Sequence, residues 1–231
     1  KWLLVTCFGY LGYKNARFGR IEAHEAVTAY GREALLRAKE AAEDLGFEVL
    51  HLYVDGMWVK KPGCATPADF QPILDEILER TGLPIGLDGV YRWVAFLPSR
   101  ADPRLPVPNR YFGVFQNGEI KARGIELRRR DTPAFVGEAQ QALLDLLAGC
   151  RHVDDLPGVL PAARALVRRR LADLRGGRVP LEKLVVRQIL SRELEHYRCP
   201  SPAAIAARQL AEEGRDVRPG QAVRLLFTLG K

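Results

Sequence analysis

The chain has 231 residues, 47% of them hydrophobic and 27% charged, which is typical of a folded globular protein and excludes a fibrous or disordered one. Its net charge of +7 favours an acidic partner such as nucleic acid, although a solvated arginine surface would give the same excess. The four cysteines and four histidines are scattered without a Cys-x-x-Cys pair, which argues against a zinc site and suits a reducing cytoplasm.

The first two predicted elements are helices. The apolar stretch WLLVTCFGYLGY is too short to cross a bilayer and lacks the cleavage site of a signal peptide. We expect it to be a buried helix whose earlier part lies upstream in a longer protein. A second helix is predicted over residues 25–45, where apolar side chains recur at helical spacing, and Gly46 is expected to end it in the left-handed conformation.

A β-hairpin and a third helix are predicted next. FEVLHLYV alternates from side to side, Asp55-Gly56 is a strong signal for a two-residue turn, and MWVKK supplies the return strand. In TPADFQPILDEILERTG, Thr66 and the proline after it predict a helix start, and Gly82 predicts the end.

The remaining pattern changes from strands to helices near Asp131. Three strands are predicted in GVYRWVAFLP, NRYFGVFQ and EIKARGIELRR, with Asn117-Gly118 joining the last two. Four helices are predicted in AFVGEAQQALLDLLAG, LPAARALVRRRLADLRGG, LEKLVVRQILSRELEHY and PAAIAARQLAEEG, before a closing strand in AVRLLFTLG. This order predicts an α+β fold, with a mainly antiparallel sheet flanked by helices and then a largely helical domain.

Five motifs occur in an order that points to one family. Lys1, Val5, Thr6, Phe8 and Gly9 have the spacing of K-x-x-x-N-S-x-Y-G, and HLYVDGMWV stands in the place of Y-x-D-T-D-S. NRYFG is similar to K-K-x-Y-x-G, KARGIELRRRD to T-R-G-x-E-x-V-R-R-D, and LVVRQILSRELEHY with AARQLAEEGRDVRPGQAV to the ending. The chain therefore resembles the C-terminal portion of family B DNA polymerases. The resemblance implies the end of a fingers helix in residues 1–14, a palm in 15–130 and a thumb in 131–231.

The resemblance implies nucleotidyl transfer, a reaction that uses two divalent ions held by carboxylates, here Mg²⁺. One family aspartate comes from a motif upstream of residue 1, and the hairpin motif supplies the rest. Asp55 holds the place of its first aspartate, Gly56 replaces threonine, and Met57 replaces the second aspartate. A thioether is a poor magnesium ligand. Asp55 is therefore either a structural turn residue or the remnant of the catalytic metal site, with Asp88 a weak substitute ligand.

The resemblance also implies nucleotide and duplex contacts. Lys1 corresponds to the lysine that faces the incoming triphosphate, and Phe8 keeps the aromatic ring of the fingers motif without its hydroxyl. Val5 replaces an asparagine, which indicates relaxed nucleotide selection. The predicted duplex contacts are Arg110, Tyr111, Lys121, Arg123, Gly124 and, in the thumb, Arg187.

Other basic residues have weaker assignments. Arg128, Arg129 and Arg130 lead into the thumb, and Arg192 and Arg218 lie in thumb segments that match the family. The alternative for any single arginine is a solvated face or a surface ion pair, and for Tyr111 a half-buried strand aromatic. Residues 168–170 have no match in the family and are expected to form a solvated face.

Three hypotheses follow. The chain belongs to a polymerase that retains slow, lesion-tolerant synthesis, or it is a non-catalytic clamp or scaffold that keeps the polymerase fold, or it is an unrelated basic domain. The disrupted motifs resemble the divergent, inactivated prokaryotic branch of the family. The expected partners are primer-template DNA, the upstream exonuclease and palm portions of the same polymerase, and accessory replication or repair proteins. We expect a cytoplasmic, nucleoid-associated protein without membrane contact, inactive as this piece alone.

Overall fold

The computed structural model describes residues 2–228, and backbone contacts divide the chain into two compact units, Lys1–Val90 and Tyr91–Lys231. Both units combine helices with antiparallel strands, which confirms the predicted α+β class. The palm–thumb boundary near residue 131 rests on motif order rather than on compactness and stays a prediction. Within residues 2–228, no helix has the length and apolar character that crossing a bilayer requires.

The first unit contains three α-helices and one hairpin. Its elements are α1 (Trp2–Leu11), α2 (Ile21–Asp44), β1 (Glu48–Tyr53), β2 (Gly56–Lys60), a 3-10 turn (Pro67–Phe70) and α3 (Gln71–Thr81). Buried alanines on α2, Ala41 and Ala42 among them, let that helix lie close to Phe70, Ile73 and Ile77. The hairpin packs on this same core through Val49, Met57 and Val59.

The expectation that the N-terminal apolar stretch forms a buried helix is wrong for the described residues. α1 forms, but none of its side chains is buried, and Trp2 is 85% exposed. The physical reason is that WLLV is apolar on every side of the helix, so that one neighbouring helix cannot cover it. Lys1 lies outside the described residues.

Both predicted glycine helix ends are confirmed. Gly46 has φ +78°, its N–H donates to the carbonyl of Glu43, and the N–H of Phe47 donates to the carbonyl of Ala42. This is the Schellman arrangement, in which a left-handed residue lets two helix-end carbonyls find donors. Gly82 ends α3 in the same conformation, with φ +67°.

The second unit contains a three-stranded antiparallel sheet followed by helices and a two-stranded ribbon. Its elements are β3 (Tyr91–Pro98), β4 (Pro106–Phe115), β5 (Ile120–Arg123), α4 (Ala134–Ala148), α5 (Leu156–Arg175), β6 (Val186–Ile189), α6 (Pro202–Glu212) and β7 (Ala222–Leu225). The sheet order is β3-β4-β5, and the indole N–H of Trp93 on β3 donates to the carbonyl of Cys150, just after α4, at 3.1 Å.

The predicted Asn117-Gly118 hairpin forms, with a three-residue loop instead of two residues. The N–H of Gly118 donates to the carbonyl of Phe115, and the N–H of Phe115 donates to the carbonyl of Glu119. Gly118 has φ +88°, and the side-chain oxygen of Asn117 accepts from the N–H of Glu119. A type I turn followed by a left-handed glycine accounts for the extra residue.

Two element predictions in the second unit are wrong. The strand predicted through EIKARGIELRR ends at Arg123, because Gly124 takes φ +65° and a 3-10 turn follows over Glu126–Arg128. The helix predicted in LEKLVVRQILSRELEHY is instead the strand β6 between two 3-10 turns. Its β-branched residues favour the extended conformation once a partner strand exists, and β7 supplies that partner.

Candidate nucleic-acid interface

The turn of the β1–β2 hairpin lies one residue earlier than predicted. Tyr53 pairs with Gly56, so the two loop residues are Val54 and Asp55 rather than Asp55 and Gly56. Val54 has φ +54°, the one positive φ of a non-glycine residue in the described part of the chain. A β-branched side chain rarely takes this conformation, so the tip of the motif stores backbone strain.

Met57, in the place of the second family aspartate, points into the core of its unit. It pairs with Leu52 and packs against the buried cluster that includes Ala41, Phe70 and Ile77. Side chains alternate along a strand, so the position that a second ligand would occupy faces the core side of the hairpin. Asp55, in contrast, is exposed at the tip.

The opposite face of the hairpin carries aromatic side chains. The ring of His51 lies 6.4 Å from that of Tyr53 and 5.1 Å from that of Trp58, centroid to centroid. Tyr53 is 40% exposed. Asp55 therefore lies at the tip of a hairpin that has a partly exposed aromatic surface on one face.

The residues present do not fit a two-ion magnesium site. Mg²⁺ needs several oxygen ligands, and the tip of the hairpin offers the single carboxylate of Asp55, because Met57 is apolar and packs toward the core and Glu48 lies at the opposite end of the hairpin. Across residues 2–228, no three His, Cys, Asp or Glu side chains are grouped as metal ligands would be. Asp88 lies exposed in the irregular segment before β3 and belongs to no such group.

Phe8, the predicted nucleotide contact, packs on α2. Its ring stacks on the imidazole of His24 with centroids 4.0 Å apart, and the Phe8 carbonyl lies 3.0 Å from His24 Nδ1. The Phe8 side chain is nevertheless 38% exposed. Its role toward a nucleotide stays a prediction, and the matching role of Lys1 falls on a residue outside the described ones.

Two predicted duplex contacts lie on one face of β5. Lys121 and Arg123 alternate in register, opposite Gly113 and Tyr111 of β4. Burial lowers the pKa of the Lys121 ammonium, and the positive charge of Arg123 lowers it further. The ammonium also lies 5.9 Å from the centre of the Phe115 ring. This pair of neighbouring cations is suited to a phosphate backbone.

Tyr111, also predicted to contact DNA, is a buried sheet residue. It is 5% exposed, and its ring packs against Phe96 on β3 with centroids 5.3 Å apart. The alternative of a strand aromatic therefore describes its observed environment. Its contact with a sugar stays a prediction.

Arg110 is held by the segment that follows β5. Its Nε donates to the carbonyl of Gly124 at 3.1 Å, and its Nη2 lies 3.7 Å from a carboxylate oxygen of Glu126. A β-carbon on Gly124 would lie 2.1 Å from the carbonyl oxygen of Asn109, an impossible contact. Gly124 thus permits the close approach of β4 and the next segment, and its contact with duplex DNA stays a prediction.

Glu126 and Gln140 complete this junction and were not predicted as site residues. The Gln140 amide donates to Glu126 at 2.7 Å and its oxygen accepts from the N–H of Leu127 at 2.7 Å. The hydrogen bond from Gln140 lowers the pKa of Glu126, and the nearby charges of Arg110 and Arg129 act in the same direction. Glu126 belongs to the motif that suggested the family, whereas Gln140, one of two adjacent glutamines on α4, carries no sequence signal.

The arginines that lead out of the junction differ in their partners. Arg129 makes two hydrogen bonds to the carboxylate of Asp131, at 3.0 and 2.7 Å, and this lowers the pKa of Asp131. Arg128 and Arg130 are exposed. Arg129 is therefore engaged, while its two neighbours face solvent.

The predicted thumb arginines occupy three different settings. Arg187 is exposed on β6, and Arg192 lies over the ring of Tyr197 at 5.5 Å. The backbone N–H of Arg218 donates to the side chain of Gln221, within the turn that precedes β7. Arg218 thus lies in a turn, and Arg187 is the one of these three arginines for which the described residues supply no partner.

Comparison with known proteins shows what class of protein this arrangement belongs to. Residues 108–230, just over half of the chain, match the model of DNA polymerase family B. The matched region contains the basic face of β5, the Glu126 junction, and the ribbon of β6 and β7. The chain belongs to DNA polymerase family B.

The similar proteins are archaeal polymerases much longer than this chain. DNA polymerase 2 of Aeropyrum pernix is 30% identical over 230 residues, which is 100% of this chain and 26% of that protein. The DNA polymerase of Thermococcus kodakarensis is 29% identical over 96% of the chain and 13% of its own length. The solved family B DNA polymerase of Pyrobaculum calidifontis superposes with a TM-score of 0.59 at 28% identity, over 97% of this chain and 27% of that one.

Proposed function

We propose that this chain is the C-terminal palm–thumb part of a family B DNA-directed DNA polymerase that binds primer-template duplex, with nucleotidyl transfer weakened or lost. Family membership and the match to polymerases that extend well beyond it support the first half of the proposal. The proposal that nucleotidyl transfer is weakened or lost rests on the β1–β2 hairpin. The other portions of such a polymerase would supply an exonuclease and the remaining palm.

The observation that carries the loss of activity is the packing of Met57. If the residue at this position pointed outward, a water molecule could take the place of the missing carboxylate. Met57 instead packs on the buried cluster with Val49 and Val59. Met57 is partly buried against this apolar cluster, so a carboxylate at the same position would lose part of its hydration unless it were paired. This packing supports the proposal that the position no longer supplies a magnesium ligand.

A non-catalytic clamp is the second candidate function, and the same observation favours it. In either case the expected cations are those that face solvent or line the sheet, Lys121, Arg123 and Arg110. Contacts of this kind reach phosphates and carry no base information. We therefore expect binding with little sequence preference.

Duplex binding by the 231-residue chain tests the shared part of the proposal. Fluorescence anisotropy with a primer-template duplex should show an affinity that falls steeply between low and physiological salt, as counterion release requires. Replacing Lys121 and Arg123 together by Gln should reduce the log–log salt slope by about 1.8, or about 0.9 for each lost phosphate contact.

The matched control is Arg169→Gln, which removes an exposed arginine of α5 outside the matched motifs and should leave the slope unchanged. A flat salt dependence of the wild-type chain would contradict duplex binding. Equal slopes for the control and the Lys121–Arg123 variant would contradict the assignment of the β5 face.

A further inference from the structure

The ribbon of β6 and β7 places two arginines directly opposite each other. In its antiparallel register, Arg187 pairs with Arg224, and the next pair on the same face is Ile189 with Ala222. Directly paired side chains have their β-carbons about 5 Å apart, and like charges in such a pair destabilise the sheet. A ribbon selected for stability alone would place an acid or an uncharged residue at one of the two positions.

Neither guanidinium finds a partner that would offset this repulsion. Both arginines are exposed, and neither makes a hydrogen bond, ion pair or ring contact with any residue between 2 and 228. This sets them apart from Arg129, Arg178 and Arg215 of the same unit, which each lie within 3.0 Å of a carboxylate oxygen.

The other face of the ribbon fixes the direction in which the two arginines project. Val186, Val223 and Leu190 are buried, and the last two pack with Ala204 and Ala207 of α6. Because side chains alternate along a strand, the arginine pair projects from the face that α6 does not cover. Arg187 and Arg224 thus lie on the exposed face of a two-stranded ribbon whose other face packs against α6.

We propose that Arg187 and Arg224 form a two-arginine clamp on a single backbone phosphate of bound duplex DNA, a contact that rests on the duplex-binding function proposed above. A phosphate between two guanidiniums accepts charge-assisted hydrogen bonds from both and removes their repulsion. Arg224 is the new element, because no polymerase motif in the sequence points to it. The two arginines of the clamp lie in a different sheet from β5 and far from it in the sequence.

The test is duplex binding by the 231-residue chain carrying Arg187→Gln, Arg224→Gln or both, with Arg168→Gln as the control. Each single substitution should weaken binding about fivefold to tenfold and lower the salt slope by about 0.9. The double substitution should add little, since the two side chains share one phosphate. Arg168, an exposed arginine of α5 without a partner among the described residues, should change affinity less than twofold when replaced.

A second readout needs no DNA. Arg224→Gln removes the like-charge pair, so the thermal unfolding midpoint of the free chain should rise by about 1–3 °C. The control for this readout is Arg32→Gln, at an exposed position of α2 with no charged side chain three or four positions away, which has no such pair to relieve and should leave the midpoint unchanged. A lower midpoint for Arg224→Gln would overturn the repulsion on which the clamp depends.

The outcomes of the binding test separate this inference from the proposed function. Wild-type binding with Arg224→Gln indistinguishable from Arg168→Gln would overturn the clamp and leave duplex binding standing. A double variant whose salt slope falls by about 1.8 would also overturn it, because the two arginines would then hold separate phosphates. A wild-type chain that fails to bind duplex at any salt concentration would overturn both proposals together.

Discussion

The hairpin of the first unit and the strands β4 and β5 of the second carry the two halves of the polymerase resemblance, and they differ in how their polar groups are held. At the hairpin, the aspartate position is a methionine packed into the core, and the tip has a strained Val54. At β4 and β5, Arg110 is fixed by a carbonyl and a carboxylate, and a glycine is required between them. The basic side chain on β4 is therefore held by polar contacts, whereas the hairpin presents an apolar side chain where the family motif has its second aspartate.

The largest effect is expected at Gly124, at the junction between β4 and the segment that follows β5. Gly124→Ala should lower the free energy of unfolding by at least about 3 kcal/mol, because the new β-carbon overlaps the Asn109 carbonyl and φ +65° disfavours any side chain. Urea unfolding measures the change. Gly158→Ala, in helix α5 with nothing within 4 Å of its new β-carbon, is the matched control and should be neutral or slightly stabilising. Equal stabilities for the two variants would show that the junction is not closely packed.

A smaller effect is expected at the carboxylate of the same junction. Glu126→Gln should cost about 1 kcal/mol, because it weakens the charge-assisted hydrogen bond that Gln140 donates and removes the ion pair with Arg110. The folded-state pKa of Glu126 lies below its ordinary value, so its contribution is present above the ordinary carboxyl pKa and is lost as the pH falls through the folded one.

Unfolding measured in steps of decreasing pH checks this sign. The wild-type chain should lose stability below the ordinary glutamate pKa, and the Glu126→Gln variant should lose less over the same range. Glu119→Gln, at an exposed position in the β4–β5 loop where the side chain makes no hydrogen bond or ion pair with the described residues, serves as the control and should follow the wild-type curve. A Glu126→Gln curve parallel to that of the wild type would contradict the role of the carboxylate.

At the β1–β2 hairpin, we expect a substitution to change the free energy of unfolding in the opposite direction. Val54→Gly should raise the free energy of unfolding by about 1 kcal/mol, because the strain of a β-branched residue at positive φ exceeds the entropy that glycine costs. Val27→Gly, at a half-exposed position in α2, should instead lower it by a few tenths of a kcal/mol. If Val54→Gly destabilises as much as Val27→Gly, the tip is not strained.

Local signals in the sequence predicted much of the fold because they act over a few residues. Gly46 and Gly82 end their helices as expected, and Asn117-Gly118 forms its hairpin. The turn at Asp55 is displaced by one residue because the register is set by packing Val49 and Val59 on the core, which outweighs turn preference.

The remaining features depend on partners distant in sequence. The segment that contains β6 was predicted as a helix, while the strand that pairs with it lies more than thirty residues later. Separation in sequence also hides the pairing of Arg187 with Arg224, and the hydrogen bond between Gln140 and Glu126, which are 14 residues apart, until the chain is folded. Whether α1 is buried also depends on which elements pack against it, and the apolar composition of the helix does not reveal this.

Primer extension by the full polymerase that contains this chain, with duplex binding measured in the same sample, tests most directly whether binding persists without catalysis. With Mg²⁺ or Mn²⁺, we predict salt-sensitive binding of the primer-template and no extension above a sample without enzyme, whether or not Asp55 is replaced by Ala. Extension by the wild-type protein that Asp55→Ala abolishes would contradict this account.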